Sequence, residues 1–521
     1  MMTRREAATL LASTLAPAWA GAVPALPPRA LALDLAQPGA PLDRYFDHCV
    51  GADYPGTLQR DNCLAQLKTT VAELGFRHLR FHAIFHDVLG TVKRDGERLV
   101  FDFSAITRLY DALLARGIKP YVELGFAPQA LATSAQKIFY WQGNTSHPDP
   151  AGWRALIDAF ARHLIARYGA EEVRQWHFEV WNEPNLSDFW EKADQAAYFS
   201  LYVDTARALK AIDPGLRVGG PATAGADWVV PFLAHAHAQG APVDFITTHT
   251  YGVDEGFLDE SGQSDRKLSN SPDAIVGDVR RVREQIQASR FPGLPLHITE
   301  WSTSYNPRDL VHDHYISASY VLAKLRAVRG LAQSMSYWTF SDLFEEAGPP
   351  PTPFHGGFGL MNREGLRKPA YFAYKYLHAL QGRELPLPAG TDALATAEGR
   401  RTTVLAWDWV EPHQDVSNRG YYGRVRPPAP AQPLQLRLRG MAPGRYRVTV
   451  QRTGFQANDA TSAYLQAGSP EKLDDALLQR LQDLTADRPE RAQRATVARD
   501  GRLQVAVPMR RHDVVLVTIE G

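Results

Sequence analysis

Cysteine is almost absent: the 521 residues include only Cys49 and Cys63. Two thiols can build neither a zinc site on their own nor a disulfide framework, so buried packing thiols are expected, with one disulfide open to them in an oxidising compartment. An excess of charge of either sign is also missing, because Lys+Arg and Asp+Glu both total 57. Without a general field, nucleic acid, polyanions and anionic membrane surfaces drop out as partners, and the expected substrate is uncharged. Beyond the N-terminus no apolar run reaches the roughly 20 residues of a membrane span. No internal repeat is evident.

What is present is the composition of a folded protein, 45% apolar and 22% charged. The first 25 residues read as a leader: Thr3-Arg4-Arg5-Glu6, an apolar run from Ala7 to Ala20, then small residues around Gly21. The Arg pair suggests twin-arginine export, hence a periplasmic or secreted location. The length suits a barrel of about 250 residues with insertions and a smaller second domain.

From about Phe46 to Phe340, β-rich segments alternate with amphipathic helical stretches such as Trp153–Tyr168, Tyr198–Ile212 and Ile316–Arg329. Eight strand candidates lie near Phe46–Val50, His78–His82, Pro120–Gly125, Trp176–Trp181, Leu216–Gly220, Asp244–Tyr251, Leu294–Trp301 and Ser336–Phe340. This alternation predicts an α/β fold, a (β/α)8 TIM barrel over residues 41–384. After about Leu387 the segments become short, β-prone and alternating, which predicts an accessory antiparallel β-sandwich over residues 385–521. Residues 26–40 also alternate, in Arg29–Leu35, and are expected to lend that sandwich a strand.

In a parallel barrel the catalytic groups gather where strands end at the C-terminal face. Trp176-His177-Phe178-Glu179-Val180-Trp181-Asn182-Glu183 is strand-like and breaks at Pro184, and Leu294 to Trp301 ends the same way around Glu300. One Glu at a strand end is more often a surface or salt-bridged carboxylate, but two at matching ends reverse that reading. Glycoside hydrolysis needs such a pair, one acid and one nucleophile or base. A separation of about 5–5.5 Å gives retention and about 6.5–9.5 Å gives inversion; the short distance is expected here.

These residues resemble glycoside hydrolase family 39, the family of β-xylosidases and α-L-iduronidases. Trp181-Asn182-Glu183-Pro184-Asn185 is shared widely among related barrel hydrolases. More specific are Ile298 to Tyr305 with Val311-His312-Asp313, and Ser341 to Glu346 with His355 to Leu360, while Ser462-Ala463-Tyr464 and Gly468-Ser469-Pro470 echo bacterial xylosidases. The resemblance implies Glu183 as acid/base, Glu300 as nucleophile and Asn182 as a hydrogen-bonding partner of the sugar 2-hydroxyl. Iduronidases carry a Lys just after the sixth-strand His. Here Tyr251 stands nearby and there is no Lys, so a neutral sugar is favoured over a uronic acid.

His249 and Tyr251, two apart on one strand, share a face and can both point into the pocket, where Tyr251 can hold Glu300 ionised. His82 is expected to bind sugar hydroxyls, Trp338 to stack on the ring, and Glu345 to accept from hydroxyls in competition with Glu346. Phe126 and Phe354 are expected as pocket walls. A close ionised Glu300 is expected to raise the pKa of Glu183. No cofactor is called for, and a metal is disfavoured because the strand-end His residues lack ligand spacing.

The expected activity is a retaining exo-β-xylosidase acting on xylo-oligosaccharides. An α-L-arabinosidase, an endo-acting glycosidase and a non-catalytic carbohydrate-binding barrel are the alternatives. The loops around Ala127–Ser146 and Glu346–Phe354 decide whether the pocket is closed. The chain stops right after its last strand, with no tail to swap between subunits, so a monomer is expected.

Overall fold

The computed structural model describes residues 26–37 and 39–521. The leader expected over residues 1–25 lies outside the described residues. Eight parallel strands close into a barrel: Cys49–Ala52, His78–Phe81, Lys119–Leu124, His177–Val180, Arg217–Thr223, Phe245–Tyr251, Leu296–Ser302 and Ser334–Tyr337. Each pairs with the next in chain order, and Tyr337 pairs with Val50 to seal the ring. The first strand starts later than expected because Tyr45–Asp47 turns as a short 3-10 helix. The eighth ends earlier than expected, at Tyr337.

Helices Pro150–Tyr168, Gln195–Ile212 and Ile316–Val328 form where apolar residues recur at helical spacing, and each buries that face on the barrel. The first is started by Asp149, whose side chain accepts from the Gly152 amide, with Pro150 at the opening helical position. No helix among the described residues is long and apolar enough to cross a membrane.

Inside the barrel the inward positions are polar. His78, Arg80 and then His82 follow the second strand at every other residue, as do Tyr121 and Glu123 on the third and His177 and Glu179 on the fourth. Period-2 alternation puts all of them toward the axis. Cys49 and Cys63 are both buried and free, so the packing reading of the thiols holds.

The second half of the chain adds two sheets. A six-stranded sheet begins at Arg383 and includes Arg401–Trp407, Val514–Glu520 and Gly444–Thr453; a three-stranded sheet joins Arg29–Asp34, Leu434–Arg439 and Leu503–Val507. The central strands of the six-stranded sheet, Arg401–Trp407 and Val514–Glu520, are buried on both faces. Leu405, Trp407, Val514 and Leu516 pack on the barrel core, while Val404, Ala406, Val515 and Val517 face the smaller sheet. The sandwich expected from sequence was antiparallel throughout, but Arg29–Asp34 runs parallel to Leu434–Arg439. It arrives from the far end of the chain, so no hairpin dictates its direction. Short helices, among them Asn418–Tyr422 and Ala460–Gln466, interrupt the sheets and were not expected.

Candidate active site

The fourth strand ends in a sharp turn. Trp181 and Glu183 both take positive φ, 68° and 44°, a region that costs a non-glycine residue about 1–3 kcal/mol. The turn is held by the Glu183 amide donating to Ala222 O at 2.9 Å and by Trp181 Nε1 donating to Phe189 O at 2.7 Å. It aims Glu183 across the mouth toward Glu300 on the seventh strand. Candidate ligand atoms of Glu183, His249 and Glu300 all lie within 4.8 Å of one another, so the two carboxyls face each other at close range.

Glu300 is gripped on both oxygens. Arg80 Nη1 donates to Oε1 at 2.7 Å and the Tyr251 hydroxyl to Oε2 at 2.8 Å. Arg80 also donates to Glu179 and, at 2.7 Å, to Asn182 Oδ1. A guanidinium only donates, so the Asn182 carbonyl must face it, which leaves the amide NH2 for a ligand. Thr299 completes the layer by donating to Glu179 Oε1 at 2.8 Å.

Glu183 behaves differently. Its pKa is pushed up to about 7, chiefly by burial; His82 and Arg80 oppose the shift and Glu123 adds to it. The rise expected from Glu300 has a different origin, since desolvation of the carboxylate is the largest cause. His249 Nδ1 lies 2.8 Å from Glu183 Oε1 and 3.6 Å from Glu300 Oε2. Burial lowers the His249 pKa to about 4, which keeps this bridging ring neutral.

A cavity of about 500 Å³ opens over the pair and is lined by Asn182, Tyr251, Trp338, Tyr305, Glu346 and Phe358, among others. A larger cavity, about 580 Å³, opens at the opposite end of the barrel, away from both carboxylates. The chemistry therefore selects the smaller one.

Most of the expected residues meet here, with four corrections. Glu345 turns away to Arg60, which donates to both its oxygens at 2.6 and 3.0 Å, and Glu346 takes the place on the wall. Phe354 packs against Tyr464 and Leu366 outside the cavity, because the helix Ala460–Gln466 covers it; Phe358 lines the cavity instead. Phe126 stands one layer back, with its ring 6.2 Å from that of His82. His249, fully buried, touches the carboxylates rather than the cavity space.

His82 lines the cavity between two acids, with Nδ1 2.7 Å from Glu123 and Nε2 3.1 Å from Glu346. Burial opposes its charge, but Glu123 and Glu346 outweigh that and raise its pKa well above the ordinary value. Burial raises Glu346 to about 7, against the pull of His82.

Arg80, Glu123 and Glu179 were missed as site residues. Their signal is a charged residue inside an otherwise apolar strand, at the same parity as a candidate site residue. Such a charge can only be buried if it is paired.

The loops named for closure meet above this wall, where the Tyr140 amide donates to Glu346 O at 2.8 Å. On the other side the hairpin Val253–Leu258/Ser264–Leu268 carries Glu255, which accepts from the Tyr305 hydroxyl. The hairpin is braced from the second domain by Asn418, whose Oδ1 accepts from the Leu268 amide at 2.9 Å.

The family model for glycosyl hydrolases family 39 matches residues 30–504. A β-xylosidase of Geobacillus stearothermophilus is 41% identical over 370 residues, 70% of this chain and 73% of that protein. The crystal structure of the GH39 enzyme from Xanthomonas axonopodis pv. citri superimposes with a TM-score of 0.95 at 59% identity, covering 97% of this chain and 99% of that one. A monomeric β-xylosidase from Caulobacter crescentus CB15 gives 0.93 at 62% identity, with 94% and 99% covered. With the barrel, the facing glutamates and these likenesses together, the chain belongs to glycosyl hydrolases family 39 and is a retaining glycoside hydrolase.

Proposed function

We propose that this enzyme is an exo-β-xylosidase that removes terminal β-D-xylose by double displacement, with Glu183 as acid/base and Glu300 as nucleophile. The carrying observation is the pair of unlike carboxyls within 4.8 Å, one pushed up to about 7 and the other held by Arg80 and Tyr251. That spacing leaves a carboxylate oxygen, and no intervening water, to meet the anomeric carbon.

In the first step a Glu300 oxygen bonds to C1 as the C1–O bond to the leaving group breaks, and the Glu183 proton passes to that oxygen. In the second, Glu183 takes a proton from water, whose oxygen displaces Glu300 from C1. The free NH2 of Asn182 suits the sugar 2-hydroxyl, and Trp338 offers a face to the ring.

Specificity for a neutral sugar is supported by the lining: no Lys or Arg is among the described lining residues, His82 is already paired with Glu123 and Glu346, and Glu255, Asp278 and Glu300 would repel a uronate. The joined loops at Tyr140 and Glu346 close one end, as an exo enzyme requires. The relatives named as β-xylosidases support the same reading.

Hydrolysis of p-nitrophenyl β-D-xyloside followed by NMR should release β-xylose first, and xylo-oligosaccharides should yield xylose one unit at a time. Release of α-xylose, or of internal fragments, would sink the proposal.

A further inference from the structure

The opposite end of the barrel carries a second polar cluster that glycoside cleavage does not use. Four histidines stand at strand starts: His48 just before the first strand, His78 and His177 opening the second and fourth, and His297 second in the seventh. Parallel strands begin on one face, so four distant stretches of sequence converge there.

Five of the six ring pairs are close. Centroids are 4.6 Å apart for His48 and His78, 5.2 Å for His48 and His177, 5.3 Å for His78 and His177, 5.2 Å for His48 and His297, and 5.1 Å for His177 and His297. Four imidazoles bound tetrahedrally at roughly 2.0–2.1 Å per bond would put centroids about 5 Å apart. Candidate ligand atoms of His48, His78 and His177 all lie within 4.8 Å of one another.

The lone pairs are also unspent. His177 is 4% exposed, lines the 580 Å³ cavity, and its buried Nδ1 has no hydrogen-bond partner among the described residues; the buried Nε2 of His48 has none either. His78 places Nδ1 3.0 Å from His48 O and Nε2 3.3 Å from Gln175 O. A neutral ring donates only once, so one of these nitrogens keeps a lone pair with no donor. The rings are held in place: Tyr121 stacks on His177 at 4.8 Å and Phe245 on His297 at 5.2 Å, while the Tyr121 hydroxyl engages His297 Nδ1 at 3.0 Å. Such outer contacts orient metal-binding imidazoles. Burial, and for His48, His177 and His297 the neighbouring rings, lower all four pKa values, so the uncharged ligand form is resident. The cavity wall also carries Asp43 and Asp244, with Arg44, Arg77 and Arg217.

We propose that the N-terminal end of the barrel is a metal site, in which His48, His78 and His177, with His297 closing the ring, hold a divalent cation of the zinc type. Imidazole nitrogen suits that class of ion, and its seat across four strands would staple the barrel shut at the end away from catalysis.

The test uses Co2+ alone as the probe, added to full-length enzyme stripped with a chelator. Visible bands of a four-coordinate ion, saturating at one equivalent and displaced by Zn2+, are expected. His48→Gln and His177→Gln should each weaken that binding at least tenfold, and Zn2+ should raise the Tm of the parent protein but not of these variants. If His177→Gln does not fold, the partly exposed His48→Gln decides. Glu183, His249 and Glu300 at the mouth form the other three-residue group of comparable spacing among the described residues, so Glu300→Gln is the control and should keep the bands. Absence of the bands at one equivalent, bands indifferent to His48→Gln, or bands lost in Glu300→Gln would overturn the proposal.

Discussion

In the sandwich, Val404, Val515, Val517, Leu436 and Val448 meet face to face with hardly a polar atom between them, whereas in the barrel Arg80, Glu123, Glu179 and Glu300 meet around the axis. Both interiors are equally buried. The sandwich is stabilised by removing apolar area from water, at about 25 cal/mol per Å², and any well-packed set of aliphatic side chains would serve. The barrel mouth carries charges whose desolvation must be offset by partners in fixed places, so each member is particular. Substitutions should therefore cost activity in one region and stability in the other.

The sharpest separation comes from Glu300→Ala, which should lower kcat by on the order of 10^4-fold or more with an unchanged fold. Azide should restore turnover by giving the glycosyl azide of opposite anomeric configuration. A variant that kept a tenth of its activity would break the contrast.

Glu183→Ala comes next, with about 10²- to 10⁴-fold loss on substrates with poor leaving groups and a spared first step on activated aryl glycosides. Because the acid must hold its proton and its pKa is raised, kcat/KM of the parent enzyme should fall as pH rises through about 7, and this limb should vanish in the variant. Equal slowing of every leaving group would contradict the assignment.

Tyr251→Phe removes one hydrogen bond to a charged group, worth about 1.5–3 kcal/mol, and should slow kcat/KM by roughly 10- to 100-fold without shifting the denaturation midpoint much.

In the sandwich, Leu436→Ala should cost about 2–5 kcal/mol in urea unfolding and leave kcat/KM unchanged. A loss of turnover there would show that the two regions are not separable.

The smallest effect is expected for Glu345→Gln. Its partner Arg60 is half exposed, so stability should change by under about 1 kcal/mol and kcat/KM by less than about threefold. Glu346→Gln, on the cavity wall, should exceed both limits.

The fold was legible because it rests on local pattern. Strands such as Leu296–Ser302 announce themselves through β-prone runs, and helices such as Gln195–Ile212 through helical spacing. Within the site, Asn182 and Glu183 were legible from the break at Pro184, and Glu300 from its place near the end of a β-prone run. The loop residues Glu345 and Phe354 face away from the cavity while Glu346 and Phe358, one and four positions on, line it. Which one faces the cavity depends on Arg60 and on a helix more than a hundred residues away. For Arg80 the strand shows that a buried charge needs partners, but not that Glu123, Glu179 and Glu300 supply them, since these come from three other strands.

The alternation of strands and helices, the two glutamates near strand ends and the aliphatic faces of the sandwich can be read along the chain, since they follow from side-chain periodicity over a continuous stretch. The pairing of Arg80 with Glu179 and Glu300, the raised pKa of Glu183 and the gathering of four histidines at the other end come from folding alone. Those depend on burial and on distances between stretches far apart in the chain, and periodicity carries neither.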